Sequence, residues 1–422
     1  MHSILKGMAA AAALAAASPA SADTVADWWG FAGDLANPYQ ASPSGPPTPD
    51  QFRASTRAAL AMFEALNAID RRYESYLNLP AGDPSASQES AAATAAYRVL
   101  LHAFPGQRQA IEDSYSITMA EIRDERAREA GRAIGERAAE AAIAAGGIDP
   151  AIDQAPYRPR TAPGEWVPTG LPQLEAFMYA FRPWVSSVEA LRPPPPPALG
   201  SAVWARDYEE VRRIGARAST ERTPHQTLMA RYRQAFDLEP TMRLIADQPG
   251  RRPVDNARMF ARYQMAFDDA VAAMVAAKFH YDFWRPITAI RNGDRDGNDS
   301  TLHDPAWLPL LSTPGFAEYP CGHCTVAGAI GEVMEAETGA APPGGVRVGS
   351  QAVPMAIVQT LPSWDEWTRQ VSDSRIYGGV HFRFSNDAGE EIGRRAARAV
   401  VERVMRPLPS REPRRRGGRR NR

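Results

Sequence analysis

Apolar residues recur at steps of three and four through long parts of this chain, and runs of β-branched residues are scarce. Leu60, Met62, Phe63, Leu66, Ile69 and Tyr73 form one such face in a helix starting near Pro49-Asp50. Pro80-Ala81-Gly82-Asp83-Pro84 breaks the pattern. It resumes from Glu89 to Phe104 and stops at Pro105-Gly106. Ile111 to Ala145 predicts a long helix or a bent pair; its Glu and Arg residues face solvent, and Gly146-Gly147 ends it. Further helices are predicted over Asp207–Ala216, Thr227–Phe236 and Thr325–Glu337, with another starting at Ser385 or Asn386. Asn256 to Trp284 is the longest periodic stretch; Met259, Tyr263, Ala266, Ala270, Ala273, Met274 and Ala277 give it one close-packing face. Residues 24–50 and 148–172 read as surface chain, and Pro193–Pro197 as a polyproline II strap. No internal repeat is evident. The expected architecture is all-α, a multi-helix bundle.

Composition narrows the function. The 422 residues carry 48 Lys and Arg against 49 Asp and Glu, and 44% are hydrophobic, a soluble globular balance. That balance leaves no broad basic face for nucleic acid, so any basic site must be local. Residues 1–22 read as an export signal: Lys6, then the apolar Met8–Ala17, then Ala20-Ser21-Ala22 for cleavage. The protein is therefore expected to be periplasmic or secreted, with Asp23 first. No later run approaches the roughly 18 apolar residues of a membrane span. The expected parts are an N-terminal helical part (23–192), a C-terminal helical part (193–408) and a disordered Arg-rich tail (409–422).

Three pieces carry the chemistry. Lys278 and Arg285 lie seven residues apart, two turns on one helix face, among Phe279, Phe283 and Trp284. That helix is expected to end near Trp284, because Pro286 disfavours helical geometry at Arg285. Pro320-Cys321-Gly322-His323 stands before a helix, where backbone N–H groups and the helix dipole favour an anion beside a titratable imidazole. Ser374-Arg375, with His381 six residues after Arg375 and Gly378-Gly379 as a bend between, adds a second guanidinium and a second imidazole. At about 4 Å and an effective dielectric of about 20, each cation attracts an oxyanion by roughly 4 kcal/mol before desolvation.

Together these pieces resemble the signature of the type 2 phosphatidic acid phosphatase superfamily: Lys, six residues, Arg-Pro; Pro-Ser-Gly-His; Ser-Arg, five residues, His. Trp284–Arg291 and Ile376–Phe384 resemble its bacterial vanadium-dependent haloperoxidase-like branch, as do Pro163–Thr169, the proline run to Leu199, and Met62–Asp70. The resemblance covers nearly all of the chain after the export signal. It implies a helical bundle holding vanadate, with phosphate able to take the same place. Lys278, Arg285 and Arg375 would hold the equatorial oxygens, with Cys321 and Gly322 also at the oxyanion. His381 would be the axial group, vanadium ligand or phosphorus nucleophile, and His323 the acid–base. Phe316 matches a site-wall position that resembles the chloroperoxidase type. The implied partners are hydrogen peroxide and a halide, or a phosphoester; a homo-oligomer is compatible with the sequence.

The sequence departs from that pattern at Cys321, where the family has Ser. A thiol is the weaker donor, and in an oxidising compartment Cys321 and Cys324 can pair. Cys321-Gly322-His323-Cys324 also reads as a thiol–disulfide oxidoreductase motif, but the strand and βαβ setting of such sites are missing from the pattern. A binding protein without catalysis would have no use for both imidazoles. The acidic partner of His381 is not evident; Asp387 and Asp373 are the candidates. Asp294–Asp299 begins like a calcium loop but lacks its Gly and Glu. His280 and His303 have no metal-ligand spacing.

Overall fold

Pro253 and Pro286 frame the middle of the molecule. Proline suits the first turn of a helix, where its missing N–H has no partner to lose, and each of these starts one. In the computed structural model, which describes residues 23–36, 48–152, 160–169, 176–235, 237–350, 352–353 and 357–409, nearly all regular structure is helical. Residues 1–22, read above as an export signal, and the tail beyond 409 lie outside the described residues.

The N-terminal helices are α1 (Thr24–Ala36), α2 (Pro49–Phe52), α3 (Ala54–Ile69), α4 (Gln88–Ala103), α5 (Arg108–Glu121) and α6 (Glu125–Ala144). Four follow: α7 (Val188–Leu191), α8 (Ala202–Ile214), α9 (Pro224–Tyr232) and α10 (Glu239–Ala246). The last five are α11 (Pro253–Tyr281), α12 (Pro286–Arg291), α13 (Gly322–Thr338), α14 (Trp364–Tyr377) and α15 (Arg383–Arg403). A two-stranded antiparallel ribbon, β1 (Val346–Val348) with β2 (Gln359–Leu361), pairs Val346 with Leu361. Local sequence explains many of the starts. Ser87, Asp124, Ser201 and Ser363 each accept an N-cap hydrogen bond, and Thr48 and Thr223 form capping boxes with Gln51 and Gln226.

Two expectations are corrected. Residues 24–36 are helical, and α1 buries Val25, Ala26, Trp28 and Ala32. Only later in the 24–50 stretch do Pro, Ser and Gly dominate. The long central helix stops at Tyr281, where Asp282 takes left-handed geometry at φ 45°. Lys278 and Arg285 therefore share no helix; Arg285 is the N-cap of α12. The Ile111–Ala145 segment is the bent pair, broken between Glu121 and Glu125.

One buried cluster runs from Trp28, Phe63 and Leu100 through Phe260 to Val333, Trp364 and Val400. A polar seam crosses it. Asp269 accepts the backbone N–H groups of Trp184, Val185 and Ser186 at 2.8 Å, and Asp268 pairs with buried Arg53 at 3.3 Å. Helices α13 and α15 press together through glycine. A methyl on Gly393 would stand 2.1 Å from the Thr325 carbonyl, and one on Gly389 2.4 Å from that of Cys321. Among the described residues no helix is long and apolar enough to cross a membrane.

The proline run is held as a strap. Tyr281 and Tyr319 donate their hydroxyls to the carbonyls of Pro193 and Pro194 at 2.6 and 2.7 Å. Loop 160–169 is pinned to the turn after α11, with Trp166 N–H on the Asp282 carbonyl and Trp284 N–H on that of Gly164.

Candidate active site

The three chemical pieces meet. Lys278, in the last turn of α11, is 1% exposed and donates Nζ to the carbonyls of Ala317 and Glu318 at 2.8 and 2.9 Å. Arg285 is fully buried. Its Nε donates to the Phe316 carbonyl at 2.8 Å, and Nη1 to the Val380 carbonyl at 2.8 Å and His381 Nε2 at 3.1 Å. Its Nη2 is a buried donor with no acceptor among the described residues. The Phe316 ring lies 5.1 Å from Lys278 Nζ and 4.8 Å from Arg285 Cζ, so the expected wall residue stacks against both cations. Burial, then mutual repulsion, holds the Lys278 pKa well below the ordinary lysine value. Burial likewise brings Arg285 down to about 10.

His381 is 2% exposed, and its Nδ1 stands 2.8 Å from Glu318 Oε1. That same oxygen accepts the Phe382 N–H at 3.0 Å. A carboxylate oxygen accepting there fixes the proton on Nδ1. Nε2 then presents its lone pair, as its contact with the Arg285 N–H requires. Burial and the charges of Arg285, Lys278 and Arg375 hold the His381 pKa well below 6.5. Glu318 is pushed up to about 7 by burial, against the pull of Arg285 and Lys278.

His323, in the first turn of α13, stands with Nε2 3.0 Å from the Gln234 carbonyl. A carbonyl only accepts, so Nε2 carries the hydrogen and Nδ1 is the basic nitrogen of the neutral ring. Burial, then Arg375, lowers its pKa to about 3. Arg375, near the end of α14, is 4% exposed and donates to Ser374 Oγ at 3.1 Å and the Ala230 carbonyl at 3.5 Å. Cys321 caps α13 and is joined to Cys324 by a disulfide; both are fully buried. Gly322 opens the helix, and an added methyl there would make only ordinary contact with Met274.

Sequence reasoning missed Glu318, a single carboxylate in the otherwise apolar stretch Phe316–Pro320. The signal was its charge in an apolar setting. Asp373 and Asp387 are not the partners of His381. Asp373 is paired with Arg383 at 2.7 Å, and Asp387 sits among Arg383, Asp207 and Arg206. Asp296, in the Asp294–Asp299 stretch that lacks a calcium loop's Gly and Glu, accepts from Trp204 Nε1 and Thr301 Oγ1 at 2.8 Å each. The chain before Cys321 is irregular, not the strand of a thioredoxin-type site.

Comparison with known proteins bears on these observations. Residues 258–409, which hold every site residue named above, match the family model described as the VCPO second helical-bundle domain. Over 177 residues the chain is 29% identical to the vanadium chloroperoxidase of Curvularia inaequalis; the match takes in 33% of this chain and 28% of that protein. The fold is similar to that of a bacterial vanadium-dependent iodoperoxidase, at TM-score 0.71 and 19% identity, over 91% of this chain and 97% of the other. It is also similar to a holo-type bacterial vanadium-dependent chloroperoxidase, at TM-score 0.64 and 18% identity, over 87% and 94% of the two chains.

Proposed function

We propose that this chain is a vanadium haloperoxidase-like enzyme that binds vanadate at His381 and oxidises a halide with hydrogen peroxide, a reading supported by the match of residues 258–409 to the VCPO second helical-bundle domain and by the similarity of the fold to bacterial vanadium-dependent haloperoxidases. The observation that carries this reading is two groups side by side: the basic Nε2 of His381, 3.1 Å from Arg285 Nη1, and Arg285 Nη2, a buried donor with no acceptor among the described residues. A buried donor without an acceptor fits an oxyanion. A single neutral imidazole fits a one-nitrogen anchor for it.

Lys278, Arg285, Arg375 and the Gly322 backbone N–H would hold the oxygens, and His381 Nε2 the metal. Bound there, vanadate supplies the Lewis acidity that activates peroxide toward halide. The chain's own work is electrostatic and protonic. Glu318 fixes the ring of His381 and keeps its proton on Nδ1. Burial, then the neighbouring cations, keeps both imidazoles neutral, so His323 Nδ1 would be the group that holds and moves a proton beside the oxyanion. Phe316 excludes water from one side of the two cations. With residues 1–22 read as an export signal, this work takes place outside the cytoplasm.

The test is one paired assay on purified protein, with His381→Ala as control in both arms. One arm carries orthovanadate and is offered peroxide with chloride, bromide or iodide. The other, without vanadate, is offered a phosphate monoester. Vanadate-dependent halogenation that disappears in the variant is the expected result. Phosphoester hydrolysis that vanadate inhibits would replace it with a phosphohistidine mechanism at the same Nε2.

A further inference from the structure

A second charged pocket is lined by α9, β2 and α14 and shares no lining residue with the histidine site. Those two helices also serve the first site. The Ala230 carbonyl of α9 meets Arg375, the Gln234 carbonyl just past its end meets His323, and α14 carries Arg375 itself. Both helices also line a cavity of about 280 Å³, near the lower end of the roughly 300–1,000 Å³ usual for small-ligand pockets. Arg233 is in its lining and is fully buried. Its Nη2 donates to the side-chain oxygens of Gln359 and Gln370, each at 2.7 Å. Its Nε and Nη1 have no acceptor among the described residues.

That arrangement is costly for a structural arginine. Arg53 and Arg262, buried as deeply, have carboxylates at 3.3 and 3.0 Å. Arg233 has no carboxylate within ion-pair distance among the described residues. Its guanidinium is covered by two half-buried amides that line the same cavity. Amide oxygens are neutral acceptors, and a carboxylate in their place makes bonds roughly twice as strong. The rest of the lining mixes His225, Tyr232 and Thr360 with apolar side chains. Leu228, Met229 and Leu361 contribute, with Leu228 50% exposed at the mouth. Ile357 and Val358, next to the lining residue Gln359, are 41% and 42% exposed.

We propose that this cavity binds a small organic carboxylate, its charged end on Arg233 and its apolar body against Leu228, Met229 and Leu361. The site is separate from His381 and goes beyond the proposed reaction. Its occupancy is read by binding alone, whatever activity the protein has.

Benzoate is the probe, followed by calorimetry and saturation-transfer NMR on the full chain, with benzyl alcohol as the uncharged counterpart. Saturable benzoate binding that orthovanadate does not displace is expected. Arg233→Met should weaken it about tenfold or more. Gln359→Glu, at one of the two amides that accept from Arg233, keeps the test decisive if Arg233→Met does not fold. It supplies the missing carboxylate from within, so binding should be lost with the melting temperature at or above wild type. Leu228→Glu, at the exposed mouth, should also weaken binding. The proposal fails if benzoate does not bind, binds equally to the folded Arg233→Met or Gln359→Glu protein, is matched by benzyl alcohol, or is displaced one-for-one by orthovanadate.

Discussion

Glu318 and His381 form a buried pair in which one carboxylate oxygen, 2.8 Å from Nδ1, also holds the next backbone N–H, that of Phe382. The ring can neither rotate nor change tautomer without losing its Nδ1 bond to Glu318 and the Arg285 N–H on Nε2. Glu318→Gln keeps the shape and removes the charge, so orthovanadate affinity should fall about 10- to 100-fold, as for other residues that orient a metal-binding histidine. Circular dichroism should be unchanged, and calorimetric titration with orthovanadate gives the number. Equal affinity in the variant would reduce Glu318 to a packing residue.

Acid should act on this fold through its histidines. His323 is held at about 3 and His381 well below 6.5, so each takes up its proton more readily in the unfolded chain. Their contribution is whole above pH 6.5 and is lost as pH falls from there toward 3. Glu318, raised to about 7, runs the other way; its contribution is full below 4.5 and is lost as pH rises through 7. Each fully differential proton changes stability by about 1.4 kcal/mol per pH unit. Melting temperatures measured from pH 3.5 to 8 should therefore fall less steeply below pH 6.5 in His323→Gln than in the wild type.

The α13–α15 contact leaves no room for a methyl group. Gly393→Ala and Gly389→Ala would each drive a Cβ into backbone carbonyl, where no flexible side chain can give way. Each should cost about 1–3 kcal/mol in urea unfolding. Gly389 faces Cys321, so its variant should also weaken orthovanadate binding. Gly33→Ala in α1, with nothing within 4 Å, is the control and should be neutral or stabilising.

Cys321 in a disulfide has no S–H to give an oxyanion. The double variant Cys321→Ser, Cys324→Ala places a hydroxyl at the helix cap, where serine is favoured, and restores a donor. Orthovanadate should bind about fivefold more tightly. Thiol titration of the native wild-type protein should find none before reduction.

Much of the site was legible because its charges stand in apolar company. Lys278 and Arg285 sit among Phe279, Phe283 and Trp284, and that contrast survives even though the helix expected to join them breaks at Asp282. The break itself was hidden, since left-handed geometry at a non-glycine residue is set by what surrounds it, here the pairing of the turn with loop 160–169. The charge of Glu318 in the apolar stretch Phe316–Pro320 was visible too, but its pairing with His381 was not. Its partner lies 63 residues away, on no shared helix face, and nothing in spacing links them. The α1 helix was lost to averaging, because the Pro- and Ser-rich stretch after it coloured the reading of the whole segment.

The proline strap has a chemical sidedness. Five consecutive prolines, Pro193 to Pro197, carry carbonyls but no amide hydrogen, so this part of the backbone can receive hydrogen bonds and never donate one. It must be gripped from outside. The two hydroxyls that grip it belong to Tyr281, one turn beyond Lys278, and Tyr319, the neighbour of Glu318. The segment between the two halves of the chain thus works as a passive belt buckled onto the rim of the histidine site, taking its position from that site.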